Sequence, residues 1–135
     1  MRFKVLLAAL CLTFGVTATA VQTSAADEIK IVGFGDSLMA AYNLQADEGF
    51  PARLEAALRA RGHDVSIIDS GVSGETTSGG LARIDWSVPE GTDAVLLELG
   101  ANDALRGLPP EKTRDNLEAM IVRLKQRGIA VLLAG

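Results

Sequence analysis

The sequence has very few of the side chains that disulfides and many metal sites require. Its 135 residues include one cysteine, Cys11, and one histidine, His63. Because Cys11 lies in the apolar N-terminal segment, residues 27–135 contain no cysteine. This excludes a disulfide, a thiol nucleophile and a cysteine-based metal site in that part of the chain. A domain formed by those residues in an oxidising compartment would depend on its hydrophobic core alone.

Proline and clusters of basic residues are also scarce. With only four prolines and 48% hydrophobic residues, the chain does not have the composition of a disordered or low-complexity protein. Apart from Arg2 and Lys4, it carries 11 basic and 17 acidic side chains, a net charge of −6. An acidic domain without a Lys/Arg cluster is poorly suited to nucleic acid or to an anionic membrane surface. We expect neither as a partner.

The first 26 residues have the three parts of an export signal. A short basic region at residues 1–4 precedes a mostly apolar stretch, and Ser24 and Ala26 provide small residues at a cleavage site. We expect cleavage after Ala26, with cleavage after Ala20 as the alternative, and a periplasmic or secreted protein. A membrane anchor is the other interpretation, but the purely apolar stretch is shorter than the roughly 20 residues that a span needs.

The remaining residues, 27–135, alternate short apolar runs with amphipathic ones, with no linker between them. Several apolar runs are almost continuous, which is typical of strands covered on both faces in a parallel sheet. The alternation predicts one domain with a doubly wound α/β fold. The predicted strands are 29–34, 65–68, 94–99 and 129–134, and the predicted helices are 51–61, 81–86 and 111–127.

Functional residues in such folds follow the carboxyl ends of the strands, and Ser37 follows the first one. A serine at a sharp turn into a helix is presented at the rim of the sheet, where backbone N–H groups point at the group that it attacks. The alternative is that Ser37 or Asp36 only caps the first turn. The segment lacks the G-x-x-x-x-G-K-[ST] pattern of a phosphate loop.

The second and third predicted strands run into loops that offer hydrogen-bond donors. Residues 69–77 include Gly74, and such a loop either lets backbone N–H groups converge or is merely a flexible turn. After the third strand, Asn102 either donates a side-chain N–H to a developing oxyanion or forms an Asx-turn. In a parallel sheet, a nucleophile, a backbone donor and an amide donor would share one rim.

Together these segments resemble the first three sequence blocks of the SGNH (GDSL) hydrolases, in the same order. The blocks are Gly35-Asp36-Ser37-Leu38, Gly74 in its Ser-Gly-Glu-Thr context, and Gly100-Ala101-Asn102-Asp103. Residues 96–107 are similar to the bacterial secreted branch that contains arylesterases and acyl-CoA thioesterase/lysophospholipase enzymes. The resemblance implies a three-layer α/β/α flavodoxin-like fold with a parallel sheet.

The resemblance also implies a serine esterase or thioesterase that forms an acyl-Ser37 intermediate, without a metal or organic cofactor. The oxyanion hole would consist of the backbone N–H groups of Ser37 and Gly74 and the side-chain amide of Asn102. Asp36 and Asp103 would hold the loops. The expected partner is a small acyl ester or thioester, and the protein is expected to be a monomer without a stable membrane anchor.

The catalytic Asp and His of the family's Asp-x-x-His block are absent from this sequence. Its one histidine, His63, precedes the second strand and so lies at the amino end of the sheet, whereas Ser37 lies at the carboxyl end. A six-residue strand places these two ends roughly 20 Å apart. That separation is far beyond the reach of a hydrogen bond, about 3 Å. We therefore expect a domain that is incomplete at the C-terminus, inactive by itself, and poorly soluble because the last strand exposes its edge.

Two other functions remain open: a carbohydrate acetylesterase of the same family, and a non-catalytic exported module that binds a small ligand at the Ser37 rim. Glu98, in an apolar strand near the rim, is expected to support residues 100–103, since a buried carboxylate needs hydrogen bonds. Four larger side chains are candidates either for an acyl pocket or for the core: Met39, Tyr42, Phe50 and Trp86.

Overall fold

The computed structural model describes residues 27–135, so the predicted export signal lies outside the described residues. The described part alternates strands and helices, as the sequence predicts. In chain order the elements are β1 (Ile29–Gly35), α1 (Phe50–Ala60), β2 (Val65–Gly71), α2 (Thr77–Ser87), β3 (Ala94–Glu98), α3 (Ala101–Leu105), α4 (Pro110–Gln126) and β4 (Ala130–Ala134).

The four strands form one parallel sheet in the order β2-β1-β3-β4. In this register Gly35, the last residue of β1, pairs with Gly71 of β2 and with Glu98 of β3. Three strands therefore end at the same level. Because β1 lies between β2 and β3, their carboxyl ends define the topological switch point where doubly wound folds bind ligands.

Helices cover both faces of the sheet, which gives the expected three layers. One face packs against α2 and α4 and forms the main core. On the other face, α1 and the segment after β1 pack over the sheet, and the side chains of Met39 and Pro51 lie above Gly33. The fully buried residues of the main core are Val32, Phe34, Ile84, Val95, Leu97, Met120 and Leu124.

The structure differs from the sequence prediction at β2, α2, α3 and β4. Strand β2 extends three residues beyond its predicted end, to Gly71, and the short helix α3 lies where the sequence predicts a loop. Helix α2 begins at Thr77, four residues before its predicted start, and the Thr76 side chain accepts the N–H of Gly79 at 3.4 Å as its cap. Strand β4 is not covered on both faces within residues 27–135, since Leu132 is 66% exposed. None of the helices in these residues is both long and apolar enough to cross a bilayer.

Candidate active site

The structure places Ser37, Gly74 and Asn102 on one rim of the sheet. Ser37 follows β1, Gly74 lies in the loop after β2, and Asn102 lies in α3, directly after β3. Since these strands end at one level in a parallel register, their loops leave the sheet side by side. The rim predicted from the strand ends is thus present, and the contacts between its loops determine what it can do.

The segment after β1 turns sharply at Asp36 and Ser37. The N–H of Ala40 donates to the Asp36 carbonyl oxygen at 2.9 Å, and the N–H of Tyr42 donates to the Ser37 carbonyl oxygen at 3.2 Å. Asp36 Oδ1 accepts the N–H of Leu38 at 3.1 Å, so Asp36 acts as the cap of this turn. The Ser37 hydroxyl lies 3.5 Å from the same oxygen and is not needed as a cap.

The carboxylate of Asp36 connects the Ser37 segment to Asn102. Asp36 is almost completely buried, and its Oδ2 atom accepts Asn102 Nδ2 at 2.8 Å. The Asn102 side chain therefore bonds across the rim instead of forming an Asx-turn in its own loop. A side-chain amide has two N–H groups. One can remain bonded to Asp36 while the other donates to a substrate oxygen.

The loop that carries Gly74 is a defined turn that contacts both neighbouring segments. The N–H of Val72 donates to the Gly35 carbonyl oxygen at 2.9 Å, and Arg106 Nη2 donates to the Gly74 carbonyl oxygen at 2.7 Å. Gly74 has a φ of +79°, a left-handed conformation that side chains with a Cβ adopt at a cost. Glycine thus fits the backbone conformation that this loop requires.

Asp103 is buried behind the rim and bonds residues of α2 and α4. Its carboxylate accepts the Thr77 N–H at 2.8 Å and the Thr77 hydroxyl at 2.6 Å. It also accepts the Thr113 hydroxyl at 3.2 Å, and Asn116 Nδ2 donates to Thr77 Oγ1 at 3.0 Å. A negative charge is favourable at the N-terminus of a helix. Asp103 therefore fixes the start of α2 against α3 and α4.

Glu98 supports a different segment from the one expected. Its Oε2 atom accepts the backbone N–H of Asp36 at 3.3 Å, so it contacts the turn after β1 instead of residues 100–103. Burial of its carboxyl group raises the pKa of Glu98. The hydrogen bond from the Asp36 N–H opposes this increase, and the charge of Asp36 adds to it. Ionisation of Glu98 in this partly buried position next to Asp36 thus lowers the free energy of unfolding.

The raised pKa predicts how stability depends on pH. The stability that Glu98 contributes is fully present below its ordinary pKa of 4.5, and it is lost as the pH rises through the higher pKa of the folded state. Glu98→Gln should therefore raise the melting temperature relative to the parent more at about pH 8 than at about pH 4. Thermal unfolding at both pH values measures this difference.

The exposed carboxylate of Glu118 on α4 provides the control, since Glu118→Gln also removes one negative charge. Equal differences in melting temperature at the two pH values for Glu98→Gln would contradict the proposed cost of this partly buried charge.

Within residues 27–135 the rim contains no histidine. His63 is exposed and lies between α1 and the amino end of β2. Because the sheet is parallel, this is the opposite end of the strands from Ser37. In the same part of the chain, no group of three or more His, Cys, Asp or Glu residues is placed to hold a metal ion. The described residues thus bring a serine hydroxyl and hydrogen-bond donors to the rim without a histidine beside them.

Fold and rim together define a class: α/β proteins that present a serine and hydrogen-bond donors at the carboxyl ends of a parallel sheet. The sequence model of the GDSL-like Lipase/Acylhydrolase family matches residues 34–135. This chain belongs to that family.

Individual relatives agree with this assignment. An arylesterase of Vibrio mimicus is 43% identical over 105 residues, which cover 77% of this chain and 52% of that protein. The thioesterase 1/protease 1/lysophospholipase L1 of Escherichia coli strain K12 is 34% identical over 113 residues, covering 83% and 52%. The crystal structure of AlinE4, an SGNH-hydrolase family esterase, matches with a TM-score of 0.76 and 45% identity, covering 82% of this chain and 60% of AlinE4. The chain spans about half the length of these curated relatives.

Sequence reasoning missed two arginines that contact the rim. Arg106 bonds the Gly74 carbonyl oxygen, and the buried Arg83 of α2 bonds segments from β1, β2 and the Gly74 loop. The only signal in the sequence is that Arg83 stands between the apolar residues Ala82 and Ile84. The candidates for an acyl pocket divide: Met39 and Phe50 line one cavity together with Leu38, whereas Tyr42 and Trp86 are exposed.

Proposed function

We propose that the whole protein is a serine ester hydrolase in which Ser37 is the nucleophile. The observation that carries this proposal is the Asp36 carboxylate, which bonds the Asn102 amide on one oxygen and the Ser37 turn on the other. A nucleophile and a side-chain donor held by one buried group need no rearrangement when substrate binds. Such preorganisation is the main source of oxyanion stabilisation in acyl transfer.

In the proposed reaction, Ser37 Oγ attacks the acyl carbon while a general base takes the hydroxyl proton. The carbonyl oxygen becomes an oxyanion that accepts hydrogen bonds from the N–H groups of Ser37 and Gly74 and from Asn102 Nδ2. The alcohol or thiol then leaves with that proton, and water hydrolyses the acyl-Ser37 ester. We place the base outside residues 27–135, since the only histidine in those residues is at the far end of the sheet.

Exposed apolar side chains around the rim support a substrate with an apolar acyl or aryl group. Leu38 and Tyr42 follow β1, Val72 follows β2, and Leu105 lies after β3, with Leu38 68% and Leu105 85% exposed. Relatives named arylesterase and thioesterase 1/protease 1/lysophospholipase L1 support a carboxylic ester or thioester as the substrate. The signal-like residues 1–26 support export to the periplasm or the medium.

Hydrolysis of three substrate types by the whole protein tests the proposal: p-nitrophenyl esters of increasing acyl length, acyl-CoA thioesters and acetylated sugars. We expect serine-dependent turnover of the esters or thioesters. Turnover of the acetylated sugars alone would indicate a carbohydrate acetylesterase and overturn the proposed substrate class. Binding of these compounds without turnover would indicate a non-catalytic module and overturn the proposed activity.

A further inference from the structure

Arg83 is a nearly buried cation beneath the rim that the reaction scheme does not use. It lies in the second turn of α2 and is only 7% exposed. Its Nε donates to Glu75 Oε2 at 2.7 Å, and its Nη2 also pairs with that oxygen. The guanidinium carbon lies 3.8 Å from the centre of the Phe34 ring. The arginine is therefore held by a carboxylate on its edge and by an aromatic ring on its face.

The remaining donors of Arg83 reach the ends of β1 and β2. Nη1 donates to the Ser70 hydroxyl at 3.1 Å, and Nη2 donates to the Gly35 carbonyl oxygen at 3.3 Å. Gly35 is two residues before Ser37, and Glu75 directly follows Gly74. One side chain thus bonds both backbone segments whose N–H groups belong to the proposed oxyanion hole.

Stability alone is a weak explanation for this arrangement. Desolvation of two charges offsets most of their attraction, and apolar residues of similar size often stabilise a fold as well as a buried ion pair. The geometry is more informative. The planar guanidinium bonds three segments at once, which the single ammonium group of lysine cannot reproduce.

Resting on the proposed function, we propose that Arg83 is a positioning residue that sets the backbone of Gly74 relative to that of Ser37. Without the guanidinium of Arg83, the direct hydrogen bond that joins the turn after β1 to the Gly74 loop is the one from the Val72 N–H to the Gly35 carbonyl oxygen. The other link is indirect and runs through α3, where Asn102 bonds Asp36 and Arg106 bonds Gly74. The two N–H groups then no longer converge on one oxyanion. The effect appears in the transition state, so kcat falls while substrate affinity is retained.

Two variants separate positioning from stability. Arg83→Lys keeps the positive charge opposite Glu75 but loses the planar guanidinium that bonds three segments at once. The double variant Arg83→Met with Glu75→Leu removes both buried charges and so avoids leaving either one unpaired. Arg123→Met is the matched control. Arg123 of α4 also pairs with a carboxylate, Asp85 of α2, but this ion pair is exposed. Each variant is tested by urea unfolding, by ester kinetics in the whole protein, and by the ¹⁵N–¹H resonances of Ser37 and Gly74.

We expect Arg83→Lys and the double variant to lower kcat about 100-fold with KM nearly unchanged, the size of loss that a displacement of about 1 Å can cause. The Ser37 and Gly74 resonances should shift in both variants and stay in place in Arg123→Met. Parent-like kcat and resonances in Arg83→Lys, or in a double variant with parent-like unfolding, would overturn the proposal. If the parent hydrolyses no ester, the proposed function fails, and the resonances still decide whether Arg83 positions the two loops.

Discussion

Replacing Ser37 with alanine in the whole protein should lower kcat for ester hydrolysis by about 10⁴- to 10⁶-fold, the range measured when single members of a catalytic triad are removed. The variant loses the only atom that forms the acyl-enzyme bond. Its fold should be unaffected, because the Ser37 hydroxyl makes one long contact, at 3.5 Å to Asp36. Steady-state kinetics and thermal unfolding of the same preparations measure both effects.

Ser73 provides a matched control for this prediction. It is exposed and directly precedes Gly74 on the same rim, so Ser73→Ala removes a neighbouring hydroxyl without removing the proposed nucleophile. We expect kcat close to that of the parent. Equal losses in the two variants would indicate that the rim as a whole was disturbed and would contradict the specific role of Ser37.

The 135-residue chain itself is expected to hydrolyse p-nitrophenyl esters no faster than its own Ser37→Ala variant. Its single histidine, His63, lies at the opposite end of β2 from the rim, and a serine hydroxyl without a base is a weak nucleophile. Serine-dependent turnover by this chain would contradict the statement that the base lies outside residues 27–135.

Replacing Asn102 with alanine should lower kcat by about 10²- to 10³-fold, the usual cost of one oxyanion donor. KM should change little, because the amide N–H bonds a charge that develops only in the transition state. Part of the loss will come from Asp36, which also loses the hydrogen bond from Asn102 at 2.8 Å. Kinetics with a p-nitrophenyl ester separate kcat from KM.

Asn116 is the control for the loss of a buried amide. Its side chain bonds Thr77 and Ser78 behind the rim, so Asn116→Ala should lower stability more than it lowers kcat. A variant at Asn102 that raises KM and leaves kcat unchanged would contradict the oxyanion role, since it would place the amide in ground-state binding.

The strands and the longest helix were predictable because their local signals agree. The sequence predicts a helix over residues 111–127 and the structure has Pro110–Gln126, since a proline at the start, a regular apolar face and Gly128 after the end all indicate the same element. Helix α2 was predicted too short because Gly79 and Gly80 are typical of a loop. Gly80 is there for packing: a Cβ at that position would lie 3.2 Å from the Phe34 ring.

The location of the candidate site followed from topology, whereas its contacts did not. The ends of parallel strands meet at one rim, and this was enough to bring Ser37, Gly74 and Asn102 together. The bond between Asp36 and Asn102 joins residues 66 positions apart, and that between Arg83 and Gly35 joins residues 48 positions apart. No local pattern specifies such partners, because they depend on how helices pack on the sheet. For the same reason the sequence predicts the wrong contact for Glu98, which bonds the turn after β1 and not residues 100–103.

Covalent labelling shows directly whether Ser37 is an activated serine. The whole protein is treated with a fluorophosphonate, which phosphonylates an activated serine, and the modified peptide is identified by mass spectrometry. We expect one adduct, on Ser37, which is absent from Ser37→Ala and slower to form in Asn102→Ala. An adduct on a different serine, or ester hydrolysis by a protein whose Ser37 stays unlabelled, would contradict it.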